Sequence, residues 1–224
     1  MNTDSHPHQI PYRGRFHLDR GELIADAVVH AVGIAIALVA GSALLFLAWP
    51  HAGAGEYAAA LFYVVSLATV FSISCAYNLW PISPTKWVLR RFDHAAIFLL
   101  IAGTYSPFMT QLEGSGPMLL LVWGGAAVGI FVKLVLPGRF DRLAILFYLA
   151  VGWSGILVIE SVMEVLSTRA MLLLAAGGVA YTTGVVFHLW HGLKYHNAVW
   201  HGFVVTGAAL HLAAVTDALV LSVS

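Results

Sequence analysis

The run IADAVVHAVGIAIALVAGSALLFLAW, residues 24–49, decides the class of fold. It exceeds the roughly 20 apolar residues a helix needs to cross a bilayer. Its only ionisable residues, Asp26 and His30, stand one helical turn apart near its start. Further runs of the same kind follow at about 57–80, 94–112, 117–136, 143–163, 170–190 and 199–222. All are too long and too evenly apolar for the period-two alternation of a transmembrane β-barrel. The expectation is an all-α polytopic membrane protein, a bundle of seven transmembrane helices spanning residues 24–224. Residues 1–23 are expected to form a polar cytoplasmic N-terminal segment with no apolar core of a cleavable signal, so that the first helix acts as an uncleaved anchor.

Composition agrees with that class. Of the 224 residues 60% are hydrophobic and 10% charged, against about a quarter charged in soluble domains. Net charge is zero, which leaves no basic surplus for nucleic acid. Cys75 is the only cysteine and falls within an apolar run, where it reads as a small buried hydrophobe. Short breakers such as HAGAGE (51–56) and EGSGP (113–117) suit connections between antiparallel neighbours.

The lysines and arginines give an orientation. With seven crossings, Arg13, Arg15, Arg20, Lys86, Arg90, Arg91, Lys133, Arg139, Arg142 and Lys194 share one side, and Arg169 stands alone on the other. The positive-inside rule then places the amino terminus in the cytoplasm and the carboxy terminus outside. Trp80, Trp87, Trp190 and Trp200 are expected near the inner interface and Trp49 near the outer one. Glu160 and Glu164 fall at the outer end of the fifth span, beside Arg169, and read as a solvated end or local ion pair.

With this topology, three pairs spaced four residues apart share one address. Asp26/His30, Ser74/Asn78 and Asn197/His201 each project from one face of a helix, and Asp93-His94 opens a fourth segment at the same inner level. Ionisable residues in spanning segments usually face a bundle interior or wet cavity, because lipid does not solvate them. Four helices contributing polar groups at one depth describe a site. Pro107 should free a backbone carbonyl near Gly103, which hints at an internal cavity.

At these residues the chain resembles the hemolysin III family, within the progestin and adipoQ receptor (adiponectin receptor-like) superfamily, and more distantly the alkaline ceramidases. The resemblance rests on ELIADAVVH (22–30), SCAYN (74–78), DHAAIFLLIAGTYSPF (93–108) and NAVWH (197–201). It implies a seven-helix bundle with an inward amino terminus and zinc held by three histidines near the cytoplasmic side. In the family an Asp on the third helix and a Ser on the second support a metal-bound water. Here Ser74, Tyr77, Asp93, Trp200 and His201 match that pattern, but two of the three ligand positions are Asn78 and Asn197. His196 is rotated about 100° from the expected face. The first helix departs the other way, carrying Asp26 where the family commonly has Asn.

Two readings of these changes are open. In one, a metal site is rebuilt from His201, Asp93, Asp26 and His30, a set suited to Zn²⁺, Mn²⁺ or Fe²⁺. In the other, no metal binds, and the carboxylates, imidazoles and amides form a hydrogen-bonded network that locks the inner helix ends. The cofactor is thus open, with zinc only by resemblance. The functional expectation is a non-catalytic sensor or regulator of membrane state or lipid in the cell inner (plasma) membrane, with membrane lipids as partners. The alternative is a ceramidase-like, metal-dependent lipid amide or ester hydrolase. Asp93 would then serve as base or ligand, Ser74 as oxyanion donor and His201 as ligand. Cytolysis enters by the family label alone. His188, His191 and His196 form a histidine-rich patch around the last interhelical loop, and His211 reads as interhelical hydrogen-bond glue.

Overall fold

A computed structural model describes residues 19–138 and 140–222, with the Arg142 side chain excepted. Residues 1–18 of the polar segment, among them Arg13 and Arg15, and Arg139 lie outside the described residues. The described chain is helical throughout: α1 (Arg20–Ala48), α2 (Ala54–Leu79), α3 (Pro84–Met109), α4 (Gly116–Val135), α5 (Asp141–Gly152), a 3₁₀ stretch (Ser154–Val158), α6 (Ile159–Val165), α7 (Thr168–Leu189), α8 (His196–Thr216) and a π-helical turn (Asp217–Leu221). Taking α5 to α6 as one interrupted rod gives seven rods. Six are long and apolar enough to cross a membrane. The exception is α3, whose first half carries Lys86, Arg90, Arg91 and Asp93, although its second half is largely buried.

Helix starts follow local chemistry. Asp19 accepts from the Glu22 N–H at 2.8 Å while the Glu22 side chain accepts from the Asp19 N–H at 2.9 Å, a reciprocal cap on α1. Helix α3 begins at Pro84, ahead of the expected apolar boundary at 94, because Ser83 caps it and Pro84 fits its first turn. Ser167 caps α7 by accepting from the Ala170 N–H.

The expected continuous fifth span, 143–163, is broken. The Tyr105 hydroxyl of α3 inserts at the break, donating to the Gly152 carbonyl (2.8 Å) and accepting from the Gly155 N–H (2.7 Å). Ser154 donates to the Val151 carbonyl at 2.7 Å. A side chain inserted in the helical ladder is a recognised cause of such a break, and here it also answers the backbone groups it displaces.

The rods pack in the order α7, α8, α1, α2, α3, α4, with α5 against α3, α4 and α7. Between α1 and its neighbours there is no room for side chains at certain points. A Cβ on Gly33 would come within 2.8 Å of the Phe71 ring and 3.0 Å of Val205, the close approach that small residues allow between helices in lipid. At the end opposite the Asp26 pairs, the π-helical turn brings buried Asp217 to the Ser167 hydroxyl and to Arg169 (3.6 Å). Among the described residues Arg169 therefore pairs with Asp217 of the neighbouring turn, not with Glu160 or Glu164. At the near end Asp141 bridges Arg90 (2.6 Å) and buried Lys133 (2.8 Å), tying α5 to α3 and α4. Burial works to raise the Asp141 carboxyl, but Lys133 and Arg90 prevail and hold it at about 2.

The folded carboxyl thus lies below its ordinary value of 3.8, so the native state binds fewer protons and stability rises with pH in that window. The contribution should be complete above that ordinary value and lost as pH falls through about 2, and Asp141→Asn should flatten the acid limb of a denaturation profile. An unchanged acid limb would contradict the bridge. Gly33→Val should destabilise the purified protein by about 1–3 kcal/mol through overpacking, read as a lowered thermal midpoint in detergent.

Candidate functional site

The three pairs meet. Asp26 and His30 on α1, Ser74 and Asn78 near the end of α2, and Asn197 and His201 at the start of α8 form one connected network. Asp26 is 0% exposed and His30 1%, so neither can be satisfied by bulk water. The His201 Nδ1–H donates to Asp26 Oδ1 at 2.6 Å, and the Asn197 amide donates to Asp26 Oδ2 at 3.1 Å. Asn197 also donates to Asn78 Oδ1 at 3.0 Å. Asn78 in turn donates to the Ser74 carbonyl (2.9 Å) and hydroxyl (3.2 Å).

The His30 tautomer follows from its partners. Its Nδ1 lies 2.8 Å from the Asp26 backbone carbonyl, which can only accept, so Nδ1 carries hydrogen. In the neutral ring Nε2 is then the acceptor, and the Ser74 hydroxyl, 3.1 Å away, donates to it. The His30 and His201 rings meet edge to face with centroids 4.4 Å apart. Among the described residues no hydrogen bond engages His201 Nε2, which carries the unengaged lone pair of the neutral ring. Asp93 stands beyond Ser74, within reach of its hydroxyl and of the His201 charge.

This network lines one end of a cavity of about 960 Å³ that extends through the bundle to His211. Val70, Phe71, Leu100, Ile101, Leu149 and Val205 line its apolar part, while Asp93, Lys86, Arg90 and Lys133 line the end near the network. At its rim Asp19 is held below its ordinary value first by the Glu22 N–H, then by Lys194 at 3.4 Å. Polar and charged groups thus gather at one end of the cavity and apolar side chains along its body.

Of the expected metal set, Asp26, His30 and His201 offer donor atoms within 4.8 Å of one another, and Asp93 stands outside that group. A zinc ion of the three-histidine kind does not fit the residues present. Two ligand positions are amides, with the Asn78 oxygen already accepting from Asn197. Donors sharing a tetrahedral ion at about 2.0–2.1 Å stand roughly 3.3 Å apart, whereas His201 Nδ1 and Asp26 Oδ1 are 2.6 Å apart in a direct hydrogen bond.

Two participants take places other than those the sequence reading emphasised. Lys86 reads as a topogenic charge, yet it is buried and its ammonium donates to the Asn78 and Trp80 carbonyls, both at 2.9 Å. The signal was its place just beyond the α2 C-terminus, where a cation meets unpaired carbonyls. Trp200, expected in an interfacial belt, packs against His188 with centroids 5.1 Å apart. His211 behaves as expected, bonding the Leu174 carbonyl of α7 at 3.2 Å.

Fold and site together define a polytopic helical membrane protein with a buried carboxylate–imidazole–amide network at the head of an internal cavity. The Haemolysin-III related family profile matches residues 23–212, and the chain belongs to that family. It is 33% identical to the Hemolysin-3 homolog of Bacillus subtilis (strain 168), over 84% of this chain and 90% of that protein. Identity to the Hemolysin-3 of Bacillus cereus is 34%, over 84% and 88%. Identity to the Homo sapiens monocyte to macrophage differentiation factor is 32%, over 93% and 89%.

Removing the hub should be costly. Asp26→Ala should lower stability by about 1–3 kcal/mol, the cost of stranding buried partners. A double-mutant cycle of Asp26→Ala with Asn197→Ala, read by detergent denaturation, should give a coupling above about 0.5 kcal/mol. Additive losses would mean the two groups act independently.

Proposed function

We propose that this chain is a non-catalytic, lipid- and proton-responsive regulator of membrane state, in which an amphiphile fills the cavity and the Asp26 network reads its head end. The observation that carries this reading is an internally satisfied polar network lining one end of a large, mostly apolar cavity. In a hydrolase the Ser74 hydroxyl would have to donate its hydrogen to a developing oxyanion. Here the Ser74 hydroxyl is committed on both sides, to His30 and to Asn78.

The same connectivity supports a proton response. With neutral His30, the Ser74 hydrogen lies toward His30 Nε2. Once His30 is protonated, both its nitrogens donate, and the Ser74 hydrogen must turn toward Asp93. One proton on α1 thereby changes a contact between α2 and α3. In this reading all seven rods cross the cell inner (plasma) membrane, with the amino terminus cytoplasmic and the carboxy terminus outside. Support comes from Lys86, Arg90, Lys133 and Lys194 gathering at the network end while Arg169 stands at the other.

A second reading, metal-dependent hydrolysis of a lipid amide or ester, is favoured by the convergence of Asp26, His30 and His201 and by Asp93 beside Ser74. Native mass spectrometry and turnover assays on purified protein separate the two. A retained lipid that is lost in Ile101→Trp and Leu149→Trp, with no hydrolysis of amide or ester lipids, is the expected result. Lipid turnover that Asp93→Ala abolishes, accompanied by stoichiometric transition metal, would replace the regulator with the hydrolase.

A further inference from the structure

The far end of the cavity, away from the Asp26 network, is built by α7 and α8 from one arrangement used twice. Gly177 stands one turn before Tyr181 on α7, and Gly207 stands one turn before His211 on α8. The pairs are exchanged between the helices. A Cβ on Gly207 would come within 2.8 Å of the Tyr181 ring, and one on Gly177 would strike the His211 ring. Each glycine thus seats the ring of the other helix, and the two rings meet edge to face with centroids 5.4 Å apart. Rings seated this closely have little freedom to turn away.

Both residues border the cavity, and each brings it a polar atom that the protein does not use. His211 Nε2 stands 3.2 Å from the Leu174 carbonyl, which can only accept, so Nε2 carries the hydrogen. In the neutral ring Nδ1 then holds a lone pair. Among the described residues no hydrogen bond engages that lone pair or the Tyr181 hydroxyl. Neither atom is walled off, since the fully enclosed side-chain atoms without partners are Arg91 Nε, His188 Nδ1 and His196 Nδ1.

Other hydroxyls along the cavity wall are spent on backbone carbonyls. Thr104 donates to Leu100 (2.8 Å), Tyr105 to Gly152 (2.8 Å), Tyr148 to His94 (2.9 Å) and Thr182 to Gly178 (2.7 Å). Thr182 also accepts from the Trp153 indole at 3.0 Å. Tyr181 and His211 differ from these four, and polar atoms left unanswered in an apolar surrounding are costly. One ligand group answers both. A hydroxyl donates its hydrogen to His211 Nδ1 and accepts from the Tyr181 O–H, whereas a carbonyl only accepts and a methyl end does neither. A carboxylate would bring a charge into apolar surroundings. His201 and His211 lie ten residues apart on α8. That spacing separates the two ends of the cavity by about 15 Å, roughly the reach of a 12-carbon chain.

We propose that the far end of the cavity is a hydroxyl-recognition subsite, selecting amphiphiles that carry a second hydroxyl about 15 Å from the head, held between the Tyr181 O–H and His211 Nδ1. This rests on the amphiphile reading above and specifies the other end of the ligand.

The test compares 1-dodecanol with 1,12-dodecanediol, which differ by one terminal hydroxyl, by native mass spectrometry of the purified full chain at matched probe concentrations. The expected result is a preference for the diol of roughly fivefold to tenfold, the scale of one net hydrogen bond. Tyr181→Phe deletes a single oxygen and should cut that preference at least about threefold. His211→Phe should do the same, and because it also loses the bond to Leu174, Tyr181→Phe keeps the experiment decisive should His211→Phe fail to fold. Ile101→Trp should exclude both probes. Equal affinity for the two probes, or a preference unchanged in Tyr181→Phe, would overturn the subsite. If Ile101→Trp still excludes both probes in that case, the amphiphile reading stands without it. Binding of neither probe would also overturn the subsite, and the retained lipid then decides the amphiphile reading by itself.

Discussion

A carboxylate with no exposed surface must be answered entirely by protein groups, and Asp26 imposes that demand on the end of the bundle around it. Its own helix supplies His30, α8 supplies His201 and Asn197, and Asn197 relays the bond to Asn78 on α2. Three helices are registered against one another by hydrogen bonds that cannot slip by a residue without stranding a buried polar group. In an apolar surrounding, where helix packing gains little from the hydrophobic effect, such interhelical bonds and close small-residue contacts carry the specificity.

The same demand explains features that would otherwise look like defects. The interrupted fifth rod leaves backbone groups at Gly152 and Gly155 without helical partners, and the Tyr105 hydroxyl answers them from α3. The end of α2 leaves carbonyls unpaired, and Lys86 answers them with its ammonium. Asp217 in the π-helical turn is answered by Ser167 and Arg169. In each case an irregular backbone or a charge is tolerated because another rod supplies the partner.

Where the rods do not meet, they leave the cavity, and its two kinds of lining give the site its character. Asn78 and Asn197 act as hydrogen-bond relays, and Asp26 supplies the negative charge those relays organise. The network is therefore self-sufficient at one end of a cavity of about 960 Å³.

Local periodicity made much of this legible in the chain itself. The apolar runs and the four-residue spacing of Asp26/His30, Ser74/Asn78 and Asn197/His201 determine helices and place each pair on one face, because the helical repeat is a property of neighbouring residues. The residues 93–108 and 197–201 likewise carried the family. What tertiary structure decided are the partners drawn from distant segments: Asp93 set back behind Ser74, Lys86 folded under α2, Tyr105 inserted at Gly152, and Arg169 turned to Asp217 instead of Glu160 or Glu164. Spacing along one helix cannot specify them, since each depends on how two rods rotate and slide against each other. That relative placement is fixed only when close packing and the satisfaction of every buried polar group are met at once.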